Sequence, residues 1–135
     1  MNSEFEAARR AGRWGFRFFW TDALVLAGIA ALSVWFDRAV PELVWLPVLV
    51  GGHFFVFCNV IRLRRRLELL WALVFLANFA LWAGPGELRA LPVVLGQLPV
   101  TLILLAWEIR QPRYHGVFAD RWNPSLAAYL RGQPI

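Results

Sequence analysis

The feature that most constrains this chain is a cluster of arginines, Arg62, Arg64, Arg65 and Arg66, set between two apolar stretches at residues 43–61 and 67–83. An α-helix rises about 1.5 Å per residue, so crossing a hydrocarbon core about 30 Å thick takes roughly 20 apolar residues. Both stretches reach or approach that length. Guanidinium groups cannot follow them into hydrocarbon, so the cluster has to stay in water or headgroups on one face. The positive-inside rule makes that face cytoplasmic. With this hairpin placed, the rest of the topology follows by counting outward.

Upstream, residues 18–36 form an apolar run that carries Asp22. It is too long for the core of a signal peptide and is expected to stay in the protein as a first transmembrane helix. Residues 37–42 then read as a polar turn, with Pro41 suited to the start of the next helix. Downstream, Gly84, Pro85 and Gly86 cannot continue the third span. Pro92 opens a fourth apolar run at residues 91–107, where a missing N–H costs nothing. Pro99, inside that run, leaves the Leu95 carbonyl without its helical donor and predicts a kink.

The expected fold is therefore all-α: one domain, an integral membrane bundle of four transmembrane helices (18–36, 43–61, 67–83, 91–107). Residues 1–17 are expected to be an interfacial amphipathic segment that includes a short helix. Ser3 and Glu6 have capping-box spacing, and Phe5, Ala8, Trp14 and Phe16 are interleaved with Arg9, Arg10 and Arg13. Residues 108–135 read as a cytoplasmic tail whose short helix runs from Asn123 and Pro124 to Gly132.

Composition supports this segmentation. A chain of 135 residues with 59 % hydrophobic residues is too apolar for an ordinary soluble surface. Four spans place twelve of the fourteen arginines on the cytoplasmic side and leave only Arg38 and Arg89 outside. They also sort the tryptophans into belts, Trp14, Trp20, Trp71 and Trp107 inside, Trp35, Trp45 and Trp82 outside. The net charge of +5 lies beside apolar spans, so anionic lipid is the expected counterion and nucleic acid is not. The single cysteine, Cys58, excludes an intrachain disulfide and any Cys-x-x-Cys site.

Polar groups in hydrocarbon need a partner or a task. At helical rise His53, Asn78 and Thr101 fall near mid-membrane, with Gln97 about one turn further out. Asp22 falls near Cys58 and Asn59 at the inner end. Interhelical hydrogen bonding within each layer, His53 with Asn78, Gln97 or Thr101 in one and Asp22 and Asn59 in the other, is the first expectation. The sharper alternative makes His53 a haem or chlorin ligand. A bis-histidine site within one chain is excluded because His115 lies in the tail. Asp22 as a coupling carboxylate would make the protein a small dimeric transporter.

No nucleophile arrangement, phosphate loop, metal-binding spacing or carboxylate pair can be assembled, so the chain is not expected to be an enzyme or to carry a metal. Arg62, Arg64, Arg65 and Arg66 are expected to meet lipid headgroups. Tyr114, His115, Phe118 and Trp122 give the tail aromatic surface suited to contact with a partner. The resulting expectation is a non-catalytic, multi-pass protein of the cytoplasmic membrane with both termini inside. It would serve as an accessory or assembly subunit among other membrane subunits, and association with its own copies is compatible with it.

Overall fold

The computed structural model describes the backbone of residues 2–84 and 87–134 and the side chains of residues 6–83 and 89–134. Apart from a two-residue antiparallel ladder pairing Ala83 with Leu88 and Gly84 with Glu87, the described elements are helical. They are α1 (Asn2–Arg10), α2 (Trp20–Ala39), α3 (Trp45–Phe55), α4 (Arg65–Trp82), α5 (Ala90–Ile109), α6 (Ala119–Trp122) and α7 (Leu126–Leu130). A 3-10 turn, Pro41–Leu43, leads into α3, and a π-helical turn, Val56–Ile61, extends it.

Three of these segments, Trp20–Ala39, Pro41–Ile61 and Ala90–Ile109, are long and apolar enough to cross a membrane, and the chain is built as a membrane protein. The fourth apolar helix, α4, is 18 residues long and opens with Arg65, Arg66 and Glu68, so its apolar part is shorter than the other three.

The helices pack as two hairpins, α2 on α3 and α4 on α5, joined through α3 and α4. The shared core gathers Phe57, Leu63, Trp71, Phe75, Val93 and Leu104. Trp71 is its centre: it stacks on Phe75 with ring centroids 5.4 Å apart and meets Phe57 edge-on at 5.6 Å. A residue expected in the inner tryptophan belt is thus only 1 % exposed. The large ring and its N–H are satisfied inside the bundle, which removes any need for the interface. Helix α2 is the opposite case, with no buried residue. It comes close to α3 at Gly51, where Ile29 occupies the space a β-carbon would need.

Several boundaries differ from expectation for local reasons. Helix α2 does not stop at Phe36 but runs through Asp37 and Arg38 to Ala39. Nothing earlier than Val40 breaks it, and that residue is forced to extended φ (−149°) by the proline that follows. Its start moves to Trp20 because the Asp22 carboxylate accepts the Phe19 N–H at 2.6 Å, satisfying one of the first-turn donors. Helix α5 continues from Ala90 to Ile109 through Pro99.

The helix expected between Asn123 and Gly132 is α7, which starts later, at Leu126, and the short α6 precedes it, with Asn123 between them. The Asn123 Nδ2 donates to two carbonyls of the preceding loop, as described below, while its Oδ1 accepts the Ser125 N–H at 2.9 Å, the capping contact ahead of α7. Pro85 and Gly86 of the expected third-span terminator, and the Ser3 side chain of the expected capping box, lie outside the described residues.

Candidate functional site

Two polar constructions stand out. The first lies within the bundle, where α4 and α5 exchange hydrogen bonds at three levels. The Trp71 indole N–H donates to Thr101 Oγ1 at 2.9 Å, and the Thr101 hydroxyl donates to the Gln97 carbonyl at 3.1 Å. The Gln97 amide N–H donates back to the Trp71 carbonyl at 3.2 Å, while its Oε1 is buried without a protein partner. One end of this layer is marked by Asn78, which donates to the Val93 carbonyl at 2.8 Å. Gly96 lets it come so close: a β-carbon there would lie 3.0 Å from Asn78 Oδ1. The other end is closed by an ion pair, Arg64 Nε to Glu108 Oε2 at 3.0 Å, with side-chain exposures of 35 % and 3 %. Each contact inside hydrocarbon contributes roughly 0.6 to 2 kcal/mol.

His53 is beside this network and not in it. Its Nδ1–H donates to the Leu49 carbonyl of its own helix at 2.7 Å, and its ring stacks on Trp71 at 4.7 Å. The hydrogen bonds expected with Asn78, Gln97 or Thr101 are formed by those residues with α4 and α5 instead. With the proton on Nδ1, the lone pair lies on Nε2, the state of a histidine able to ligate. Among the described residues no group of three or more His, Cys, Asp or Glu is placed to hold a metal ion.

The second construction closes the end of the bundle that carries the arginine cluster. A helix end leaves its last carbonyls without donors. Here they are met by segments from both ends of the chain. The Arg17 N–H donates to the Asn59 carbonyl at 3.1 Å and the Val117 N–H to the Val60 carbonyl at 2.9 Å. The Leu63 N–H turns back to Phe57 at 2.8 Å across Arg62, which takes a left-handed conformation (φ 59°, ψ 50°). Arg62 in turn donates from Nη1 to the Gly12 carbonyl at 3.0 Å.

The two terminal segments are also tied directly to each other. The Gly15 N–H donates to the His115 carbonyl at 2.8 Å, and Arg13 donates to the Leu130 carbonyl. Ala8, Trp14, Tyr114, Ala119 and Leu126 form a small apolar core beneath them. Gly116 runs so close to the Ile61 carbonyl and the Tyr114 hydroxyl that no β-carbon fits.

This cap decides where the expected tail contacts lie. Tyr114 is buried, donates its hydroxyl to the Val117 carbonyl at 2.8 Å, and has its phenol pushed up to about 12 by burial and then by the Glu108 charge. Asn123 donates to the Pro112 carbonyl at 2.6 Å and to the Tyr114 carbonyl at 2.7 Å. His115 stacks on Tyr129 at 5.0 Å, and its pKa is lowered, chiefly by burial. Phe118 and Trp122 remain half exposed.

The arginine cluster divides likewise. Arg62 holds the N-terminal segment and Arg64 holds Glu108, while Arg65 and Arg66 point outward, exposed. Asp22 caps α2, as above, and the Asn59 residue is buried at the cap.

Sequence reasoning gave Trp71 a place in a tryptophan belt and Asn123 that of a helix cap, and it gave Glu108 and Gly116 no role. Only the Arg64–Glu108 pair had a usable signal, opposite charges at the same depth on consecutive spans. Comparison with protein-family models, with curated proteins and with solved structures gives no match.

Proposed function

We propose that this chain is a non-catalytic, four-span protein of the cytoplasmic membrane with both termini inside, acting as an accessory or assembly subunit of a larger membrane complex. The crossing number rests on the cap. Hydrogen bonds join residues 15–17 to the end of the Pro41–Ile61 segment and to the loop after α5. These bonds support a start of the first span and an end of the last on one face, and with it an even number of crossings. Three long apolar segments plus α4, packed against α5, make four. The arginine excess at that end supports the cytoplasmic side.

The observation that carries the accessory role is α2, a 20-residue apolar helix with no buried residue, attached to the bundle along one side only. Its remaining surface is free to pack against other transmembrane helices. The polar groups of the interior are meanwhile committed to holding α4 against α5. The rival reading, a haem or chlorin carrier, draws on the Nδ1-protonated His53; the other rival is a small dimeric transporter.

One purified sample separates the three. In mild detergent, mass measurement is expected to show further subunits in fixed ratio. A homodimer alone would favour the transporter, and a visible absorbance band lost in His53→Gln would favour the carrier.

A further inference from the structure

Phe118 and Trp122 present a large aromatic surface that the fold does not use. They are 50 % and 48 % exposed, with ring centroids 5.4 Å apart. The guanidinium of Arg121 lies 5.8 Å from the Phe118 centroid. Phe118 also holds a left-handed backbone conformation (φ 59°, ψ 19°), which bulky side chains rarely adopt. The strain is maintained although half of the residue stays exposed.

The mounting of the pair is firm. Trp122 stacks on the buried Tyr114 at 6.4 Å, and the buried Asn123 locks the loop to the Pro112 and Tyr114 carbonyls. Its depth is set by the cap. Val117, next to Phe118, donates to the Val60 carbonyl at the end of the Pro41–Ile61 segment. That segment has 21 residues and spans about 31 Å at helical rise, the thickness of the hydrocarbon core. Phe118 therefore lies at the boundary between acyl chains and headgroups. Trp107 near the end of α5 and Trp20 at the start of α2, 58 % and 73 % exposed, belong to the same end of the bundle.

We infer that Phe118 and Trp122, with Arg121 between them, form a lipid-interface anchor: the rings enter the headgroup–acyl boundary and the guanidinium meets lipid phosphate. Aromatic residues with one apolar face and one wet edge collect at that depth, and a nearby arginine can reach phosphate while its stem stays against the rings. The tail is thus held to the membrane surface and not presented to a soluble protein. The inference rests on the bundle being membrane-embedded, and it is independent of which face is cytoplasmic.

The test uses the full chain with Cys58→Ser, carrying one nitroxide label at a time at Phe118→Cys, Trp122→Cys, Gln133→Cys, Leu73→Cys or Leu102→Cys. Each variant is reconstituted in vesicles of phosphatidylethanolamine and phosphatidylglycerol. Labels at 118 and 122 are expected to collide more with oxygen, which dissolves in lipid, than with a water-soluble nickel chelate, and the label at 133 should show the reverse.

Chelate accessibility at 118 and 122 equal to that at 133 would overturn the anchor, as would labels there shielded from both reagents, the signature of a protein contact. Labels at 73 and 102 report separately on the membrane reading: chelate access at both would sink that reading and the anchor with it. An unlabelled measurement covers any variant that misfolds. In vesicles with brominated acyl chains, Trp122→Phe should lower the quenchable share of tryptophan emission, and an unchanged share counts against the proposal.

Discussion

At the residue scale, stability is concentrated where a side chain is both large and bonded across helices. Trp71 meets both conditions, because its ring fills the centre of the core and its N–H reaches Thr101. Trp71→Phe should cost about 2 kcal/mol through lost volume and a lost hydrogen bond. His53 bonds only a carbonyl of its own helix, so His53→Leu strands no neighbour and should stay within about 0.5 kcal/mol of the parent. Thermal unfolding of both variants in the same detergent checks the contrast.

His115 supplies a pH dependence. Its folded pKa lies below the ordinary value of 6.5, first through burial and also through the charge of Arg62. The Arg113 carbonyl and Glu108 oppose the shift. A histidine kept neutral by the fold contributes stability that is present above 6.5 and lost as pH falls from there through the folded pKa. The cap should loosen on acidification in that window, seen as faster tryptic cleavage after Arg113 and Arg121. His115→Gln should remove the acid sensitivity.

At the scale of elements, the α4–α5 hairpin depends on an asymmetric ion pair. Glu108 is almost fully enclosed, whereas Arg64 keeps about a third of its side chain in contact with solvent. Removing the arginine leaves an uncompensated buried carboxylate, a change that costs about 3 kcal/mol. Removing the carboxylate leaves a cation that can turn to water. Arg64→Gln should accordingly destabilise the hairpin well beyond Glu108→Gln in denaturant or thermal unfolding.

The neighbouring Arg65 and Arg66 make no comparable contact among the described residues. Their double change to glutamine should leave unfolding near the parent while weakening headgroup attachment by about 1 kcal/mol per residue. Retention of phosphatidylglycerol by the folded protein in mild detergent, measured beside its unfolding, separates the two effects.

At the scale of the molecule, the cap unites distant chain segments into one closure of the bundle's end, as in the bond from Arg62 to Gly12, fifty residues away. Gly116 is its tightest point, where an added β-carbon would meet the Ile61 carbonyl, a backbone atom that cannot step aside cheaply. Gly116→Ala should detach the tail from the bundle while the hydrophobic helices stay intact. Hydrogen exchange at the Arg17 and Val117 amides is expected to rise sharply, with exchange within α5 unchanged. Compartment reporters fused to either end should give the same sign, and opposite signs would mean an odd number of crossings.

What the sequence determined by itself was the class of the molecule and the position of its long apolar segments. Both follow from local quantities, the length of an apolar run and the charges that interrupt it. Residues 18–36, 43–61 and 91–107 correspond to the three helical segments long enough to cross a membrane, within the few residues that caps and prolines adjust. Depth along a helix is equally local, which is why Gln97 and Thr101 could be placed in one polar layer before their partners were known.

Tertiary structure alone decided who meets whom around each helix axis. Helical rise fixes height and leaves azimuth to packing, so His53 turned to Trp71 and its own carbonyl, and Trp71 turned inward from the expected belt. The cap was invisible for a related reason. Its bonds are backbone to backbone between distant segments, and such N–H and C=O groups are carried by nearly every residue alike, so no side-chain pattern marks where they will pair.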